Sequence, residues 1–186
     1  MAEKNPFLTA EQEQEVVDAI ARAEKITSGE VRVHLEEKCS KDPLKRAGTL
    51  FHKLKMDQTR DRNGVLIYVA TEDRKLAVFG GKGIYDQVGH EFWEDVIRLM
   101  EAEFREGNFK DGLVKAVGKV AEKLKELYPY RSDDVDELKN EISYGEPSGQ
   151  VAANKGEDED DSKKSTSKTE NGPSENGESE SDTKSK

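Results

Sequence analysis

The sequence predicts an α/β fold, specifically a three-layer α/β/α sandwich in which helices flank a small mixed sheet of about three or four strands. Segments with helical periodicity alternate with short apolar runs, which is the pattern of a layered α/β domain. One strand–helix–strand unit predicts a right-handed parallel pair of strands. Two further apolar runs, separated only by the turn "TEDR", predict an antiparallel hairpin.

The first helix is predicted over residues 10–25, because Thr9 and Gln12 form a capping box and apolar residues then recur at helical spacing. The segment "EVRVHLEE" follows and alternates, as a strand does. Its apolar residues are Val31, Val33 and Leu35, and its polar residues are Glu30, Arg32, His34 and Glu36.

A second helix begins after Asp42, which is placed to cap it, with Pro43 at the first helical position. Its predicted buried face consists of Leu44, Ala47, Phe51 and Leu54. The run "VLIYVA" predicts a central strand buried on both faces, and "KLAVFG" predicts its hairpin partner.

Two amphipathic segments complete the predicted fold. The first contains Phe92, Trp93, Val96, Ile97, Met100 and Phe104, and the second is a helix over residues 109–127. The extension over 129–145 has apolar residues that we expect to pack onto the core: Tyr130, Val135, Leu138 and Ile142, together with the preceding Tyr128.

Composition divides the 186 residues into two parts. Residues 1–145, including the extension over 129–145, are predicted to form one domain of ordinary size. Residues 146–186 are rich in Ser, Glu, Asp, Lys, Asn and Gly, and such a segment buries too little apolar surface to offset its ordering entropy. We therefore predict a disordered acidic tail of low complexity.

Charge and cysteine content exclude several classes of function. The net charge is −10 and no basic stripe is visible, so we expect no nucleic-acid partner. No run approaches the roughly 20 apolar residues of a membrane span, and the N-terminus lacks the apolar core of a signal peptide. With a single cysteine, Cys39, these features favour a cytoplasmic protein, which we expect to be a monomer with an unknown protein partner.

The stretch "LAVFGGKGIYDQVG" raises the question of a phosphate-binding loop. It lacks the spacing of a P-loop, and the dinucleotide fingerprint fails because Asp86 stands where its third glycine belongs. Three interpretations stay open: a structural turn that needs the freedom of Gly80, Gly81 and Gly83, a phosphate cradle with Lys82, or a ligand site that needs close backbone approach.

The predicted topology collects carboxylates around this glycine turn. The first two strands start at one end of the sheet, and the third, antiparallel strand finishes there. The predicted ligands for a divalent metal at this end are Glu30, Asp61, Asp86, His90 and Glu91, with Asp57 in the same loop as Asp61. Carboxylate oxygens suit Ca²⁺ or Mg²⁺, although the calcium-loop spacing of an EF-hand is absent. The alternative is a solvated polar loop.

Other reactive side chains give weaker signals. His34 and His52 stand isolated in the sequence and are expected at the surface, and no Ser–His–Asp or Cys–His arrangement can be identified. Cys39 lies in the hydrophilic stretch "EKCSKD" and is expected to be an incidental thiol.

Three stretches resemble the TPM domain family: "SGEVRVHL", "RNGVLIYVATEDRKLAVFGGKGI" and "FREGNFKDGLVKAV". The resemblance covers about residues 8 to 128 and implies an α/β/α sandwich that binds a divalent ion in a cleft beside the strand ends. It also implies Glu30 and Asp61 as the positions that correspond to metal ligands of the family. His90 stands where the better-known branch has an acidic residue. Some plant members are tied to photosystem II repair and reported as acid phosphatases, and animal members modulate a receptor.

Three functions are therefore compatible with the sequence. The first is a module that binds Ca²⁺ or Mg²⁺ without catalysis. The second is a metal-dependent phosphatase in which Lys82 holds the phosphate; no catalytic residue is identified for it. The third is a protein-interaction domain with a solvating acidic tail.

Overall fold

The structure is a computed structural model, and it describes residues 7–133 and 138–146. The chain divides into two units, residues 1–151 and 152–186, and all the described residues belong to the first. The predicted tail lies outside the described residues apart from Glu146, and so does Val135 of the predicted extension.

The described residues form five α-helices, four strands and one short 3₁₀ turn, Met56–Gln58. The helices are α1 (Ala10–Glu24), α2 (Pro43–Lys53), α3 (Lys82–Val88), α4 (His90–Arg105) and α5 (Phe109–Leu127). The strands are β1 (Val31–Glu36), β2 (Val65–Ala70), β3 (Lys75–Gly80) and β4 (Ile142–Tyr144).

The four strands form one mixed sheet in the order β3-β2-β1-β4. Strand β1 runs parallel to β2, with Val31 opposite Val65, and β2 and β3 form the predicted antiparallel hairpin. Strand β4 was not predicted; it pairs in parallel with β1, with Val33 opposite Ile142. The predicted starts of β1 and β2 and the end of β3 therefore lie at one end of the sheet.

Helices cover both faces of the sheet, so the predicted three-layer sandwich is confirmed. Helices α1, α4 and α5 pack on one face around the larger core, which includes Val33, Ile67 and Val117. Helix α2 packs on the other face around a smaller cluster that includes Phe51 and Tyr68.

The predicted helix starts are confirmed at the level of single hydrogen bonds. Thr9 and Gln12 form the reciprocal capping box of α1. The Asp42 carboxylate accepts a hydrogen bond of 2.9 Å from the amide of Lys45, and Pro43 is the first residue of α2.

Several expectations about burial were wrong. His34, expected at the surface, is 2% exposed, and Arg32 on the same face of β1 is 7% exposed. Both contact the segment that carries β4: Arg32 donates to the Lys139 carbonyl oxygen and to Glu141, and His34 lies against Ser143. Cys39, for which the sequence predicted an incidental thiol and no particular burial, is buried. Leu44, predicted on the buried face of α2, is 50% exposed, because it lies at the edge of a cavity. Within the extension, Ile142 joins the core as expected, whereas Tyr130 is 53% exposed.

No helix within residues 7–133 and 138–146 combines the length and apolar character needed to cross a membrane.

Candidate functional site

The glycine turn after β3 packs directly against the loop that precedes β2. The amide of Gly81 donates to the carbonyl oxygen of Gly64 at 2.8 Å, and the amide of Gly83 donates to the carbonyl oxygen of Arg62 at 3.0 Å. A Cβ at position 81 would lie 2.5 Å from that Arg62 oxygen, closer than real Cβ contacts come. Both amides serve the protein's own backbone, so the turn is structural and these amides are not donors for a phosphate.

An open cavity of about 670 Å³ lies beside this turn, between α2, the edge of β3 and α3. Its walls are mainly apolar, and the backbone of Gly80 and Gly81 forms part of them. The apolar and aromatic lining residues are Leu44, Phe51, Val78, Phe79 and Tyr85, and the charged or polar ones are His52, Asp57, Arg62, Lys82 and Asp86. Such a concave apolar site with a few polar groups is typical of ligand pockets.

Charges of both signs line this cavity. His52 Nδ1 lies 3.0 Å from Asp57 Oδ2, and the hydrogen bond from His52 lowers the pKa of Asp57, which is therefore a carboxylate at neutral pH. Asp86 supplies a second exposed carboxylate from α3. Lys82 and Arg62 supply two cationic groups.

Of the five predicted metal ligands, Asp86 lines the cavity, and two others have protein partners near the strand ends. Glu30 lies immediately before β1, is 5% exposed, and accepts the amide of Val65 on its backbone oxygen at 2.7 Å. The Asp61 carboxylate accepts a hydrogen bond of 2.9 Å from Arg131, so it is already balanced by a cation.

The other two predicted ligands, His90 and Glu91, begin helix α4. His90 Nε2 lies 3.1 Å from a carboxylate oxygen of Glu94, one helical turn further on, and its side chain is 77% exposed. Glu91 is also exposed, in the first turn of the same helix.

Across the part of the chain that the structure describes, no three side chains of His, Cys, Asp or Glu are grouped so that together they could hold a metal ion. Protein sites for Mg²⁺ commonly use one or two carboxylates and keep several waters. Asp57 and Asp86 are the two carboxylates among the residues that line the solvent-open cavity.

A second polar cluster, on the α2 face of β1, was missed from sequence. His34 Nδ1 lies 2.9 Å from the hydroxyl oxygen of Ser143, which belongs to β4. Beside them, Arg46 donates to both carboxylate oxygens of Glu36, at 2.9 and 2.7 Å, and Tyr68 donates to the same carboxylate. The period-two alternation of β1 placed these polar residues on one face, but it carried no information about Ser143, 109 positions away.

The pKa values in this cluster follow from burial and pairing. Burial lowers the pKa of His34 to about 4, with the nearby Glu36 carboxylate opposing that shift. Burial alone raises the pKa of Glu36, but the hydrogen bonds from Arg46 and Tyr68 outweigh it and the net pKa is lowered. At neutral pH the cluster therefore contains a neutral imidazole beside an ion pair.

The fold and cavity define an α/β/α sandwich domain whose charged groups line a cavity beside a glycine turn. A family model described as the TPM domain matches residues 3–123, and the chain belongs to this family. No curated protein sequence compared with the chain matches it significantly.

Two solved structures are similar to this chain. The NMR structure of the BA42 protein from the psychrophilic bacterium Bizionia argentinensis is 49% identical, with a TM-score of 0.72, and the match covers 78% of this chain and all of that one. The N-terminal domain of a protein from P. gingivalis is 20% identical, with a TM-score of 0.57, over 67% of this chain and 82% of that one. The second likeness shows the fold alone.

Proposed function

We propose that this TPM domain is a module that binds a divalent cation, Ca²⁺ or Mg²⁺, in the cavity beside the glycine turn. The observation that carries the proposal is that Asp57 and Asp86, from different elements, both line this open cavity. Two carboxylates with water as the remaining ligands suit these hard cations, and Mg²⁺ in particular keeps much of its hydration shell.

Charge balance supports a weak, exchangeable site. Lys82 and Arg62 line the same cavity and oppose the binding of a cation. His52 already donates to Asp57, and this interaction competes with a metal for the carboxylate. A cation held here would therefore bind weakly and exchange readily with solvent.

Amide NMR during titration with MgCl₂ and CaCl₂ at constant ionic strength tests the proposal. We expect saturable shifts centred on Gly80–Gly83 and Asp57, and Asp86→Asn should weaken binding about tenfold or more because the number of charged ligands sets the affinity. Asp18→Asn, which removes an exposed carboxylate of α1, is the matched control and should leave the dissociation constant unchanged. Absence of saturable shifts near the cavity would reject the proposal.

The roles of Glu30, Asp61, His90 and Glu91 as metal ligands stay predictions. The same titration, carried out on variants of these residues, tests them. A loss of affinity in Glu91→Gln comparable to that in Asp86→Asn would place the site at the start of α4 instead. Asp61→Asn would remove the ion pair with Arg131, so its binding result should be compared with that of Arg131→Ala.

A second candidate is a metal-dependent phosphatase, which the cationic groups Lys82 and Arg62 favour because they could bind phosphate oxygens in the same cavity. A divalent ion would supply polarisation of the phosphoryl oxygen and activation of a water. Hydrolysis of a phosphomonoester that EDTA abolishes, and that Lys82→Ala reduces while cation binding persists, would distinguish the enzyme from the simple binding module.

The third candidate, a protein-interaction domain with an acidic tail, concerns residues outside the described ranges. Truncation after Gly149 should then remove a partner in a pull-down experiment and leave cation binding intact. A tail that is ordered in the isolated protein would count against this candidate.

A further inference from the structure

A cavity of about 480 Å³, which we call the distal cavity, lies at the opposite end of the sheet from the glycine turn. It is bordered by the end of β2, the start of β3, the end of α4 and the start of α5. It shares no lining residue with the cavity proposed for the cation. Its volume is within the range of small-molecule sites.

Three phenylalanine rings form one wall of the distal cavity. Phe7 precedes α1, Phe104 lies near the end of α4, and Phe109 is the first residue of α5. The ring centroids of Phe7 lie 5.7 Å from those of Phe104 and 4.5 Å from those of Phe109, and the last two are 5.5 Å apart. All three rings are only partly buried, as is Leu76 in the same wall, so part of their apolar surface faces the cavity. This surface favours a ligand with an apolar body.

Two guanidinium groups line the same cavity, and neither forms an ion pair with a described residue. Arg74 belongs to the turn between β2 and β3, Arg105 is the last residue of α4, and both are exposed. Glu101, one helical turn before Arg105, is the one carboxylate among the described lining residues, and it opposes an anion. The lining therefore has two positive charges against one negative charge, in a chain of net charge −10. The dipoles at the end of α4 and the start of α5 have opposite signs, so these side chains set the local charge.

Arg74 has a backbone conformation that does not favour arginine. Its φ is 53°, in the left-handed region where glycine is the usual residue. The two carboxylates beside it in the turn have other partners. Glu72 lies 3.6 Å from the ammonium group of Lys38, and Asp73 accepts a hydrogen bond of 2.7 Å from the amide of Cys39. The guanidinium group is therefore present at a cost in backbone free energy that no ion pair within the described residues offsets.

We propose that the distal cavity binds a carboxylate with an apolar body, such as a fatty acid or an aromatic acid. The carboxylate would lie on Arg74 and Arg105, and the apolar body would lie against the three phenylalanine rings. Arginine suits this role because its planar guanidinium group binds a carboxylate through paired hydrogen bonds. The site is independent of the cation site, and its ligand has the opposite charge.

NMR of the full chain labelled with ¹⁵N tests this proposal through the amides of Thr71, Arg74 and Phe109 and the Nε signals of the arginines. Hexanoate and 3-phenylpropionate are the probes, each titrated at constant pH and ionic strength. We expect saturable shifts of these signals with at least one probe, and the tighter of the two identifies the aliphatic or the aromatic class. Absence of saturable shifts, or shifts confined to Gly80–Gly83, would overturn the proposal.

Matched probes separate the contributions of charge and apolar surface. Hexan-1-ol and 3-phenylpropan-1-ol lack the carboxylate, and acetate lacks the apolar body. Each should bind about tenfold or more weakly than the corresponding acid, because a hydrogen bond to a charged group or the burial of apolar surface is lost. An alcohol that binds as tightly as its acid would show that the guanidinium groups take no part, and it would overturn the proposal.

Arg74→Gly removes one guanidinium group while keeping the fold, because glycine suits a φ of 53°. We expect the affinity for the acid to fall about tenfold or more while the melting temperature is maintained or rises. Arg105→Met should weaken binding similarly, and Glu101→Gln should strengthen it. Arg98→Met is the matched control, because it removes the same charge from an exposed position of α4 outside the cavity.

The control variant should change the dissociation constant less than about twofold, in line with screened surface charges. If Arg74→Gly and Arg105→Met affect binding no more than Arg98→Met does, the attraction is general and the proposal is overturned.

Discussion

Gly83 and Asp61 touch through their backbones: a Cβ on Gly83 would lie 2.4 Å from the carbonyl oxygen of Asp61. The contact explains why residue 83 is glycine, since a backbone oxygen cannot move aside as a flexible side chain can. The glycine turn therefore holds α3 against the loop before β2, and the shape of the cavity beside it depends on that contact.

Gly83→Ala should destabilise the domain by about 1–3 kcal/mol, the usual cost of forcing an extra methyl group into a packed site. Gly118→Ala is the control, because nothing lies within 4 Å of a Cβ at that position in α5. It should stabilise the domain by about 0.5–1 kcal/mol, since alanine favours helix interiors. Urea unfolding of the two variants measures the contrast, and equal effects would show that the turn is not tightly packed.

Stability should fall as the pH drops from 6.5 to 4, because His34 takes up a proton near pH 6.5 in the unfolded chain but only near pH 4 in the native protein. Burial is the main cause of this low pKa, and Arg46, Lys53 and Arg32 lower it further against the opposing effect of Glu36. The unfolded state therefore binds more protons in this window, and the contribution of His34 is about 3 kcal/mol.

The measurement is the free energy of unfolding at several pH values for the native sequence and for His34→Gln. The difference between the two curves should change across this window and flatten above pH 7. A constant difference would mean that His34 does not titrate as its burial predicts.

Arg46→Met should destabilise the domain by about 2 kcal/mol at neutral pH, because it leaves the carboxylate of Glu36 buried without its cation. The side chain of Glu36 is 7% exposed while that of Arg46 is 35% exposed, so the loss is smaller than for a fully buried pair. Adding Glu36→Gln to Arg46→Met should restore much of the stability. Arg98→Met, which removes an exposed partner of Asp95, should have no measurable effect in the same unfolding experiment.

Mg²⁺ or Ca²⁺ should raise the melting temperature and EDTA should reverse the increase, because a ligand that binds only the native state stabilises it by mass action. A cation at a hundred times its dissociation constant contributes about 2.7 kcal/mol. Lys82→Ala should increase the affinity for the cation, since it removes a like charge from the cavity. A decrease in that variant would contradict the assignment of the cation to this cavity.

The glycine turn shows how far local sequence could lead. Its spacing excluded the two common nucleotide-binding loops, and it left a structural turn among the open interpretations. The turn packs against Asp61 and Arg62 because of the way β2 pairs with β3. The sequence predicted this hairpin but not its register. The short helix α3 was missed because its seven residues include a glycine and show too little periodicity to indicate a helix.

Three features follow from the sequence by itself: the order of the longer helices and strands, the apolar face of β1 and the membership in the TPM family. Each depends on local spacing, which reports how one segment is buried. Only the tertiary structure decided that Asp61 is paired with Arg131, that Asp57 and Asp86 reach one cavity, and that His34 meets Ser143. These contacts join residues far apart in the chain, and strand register and helix packing, rather than periodicity, determine which side chains meet.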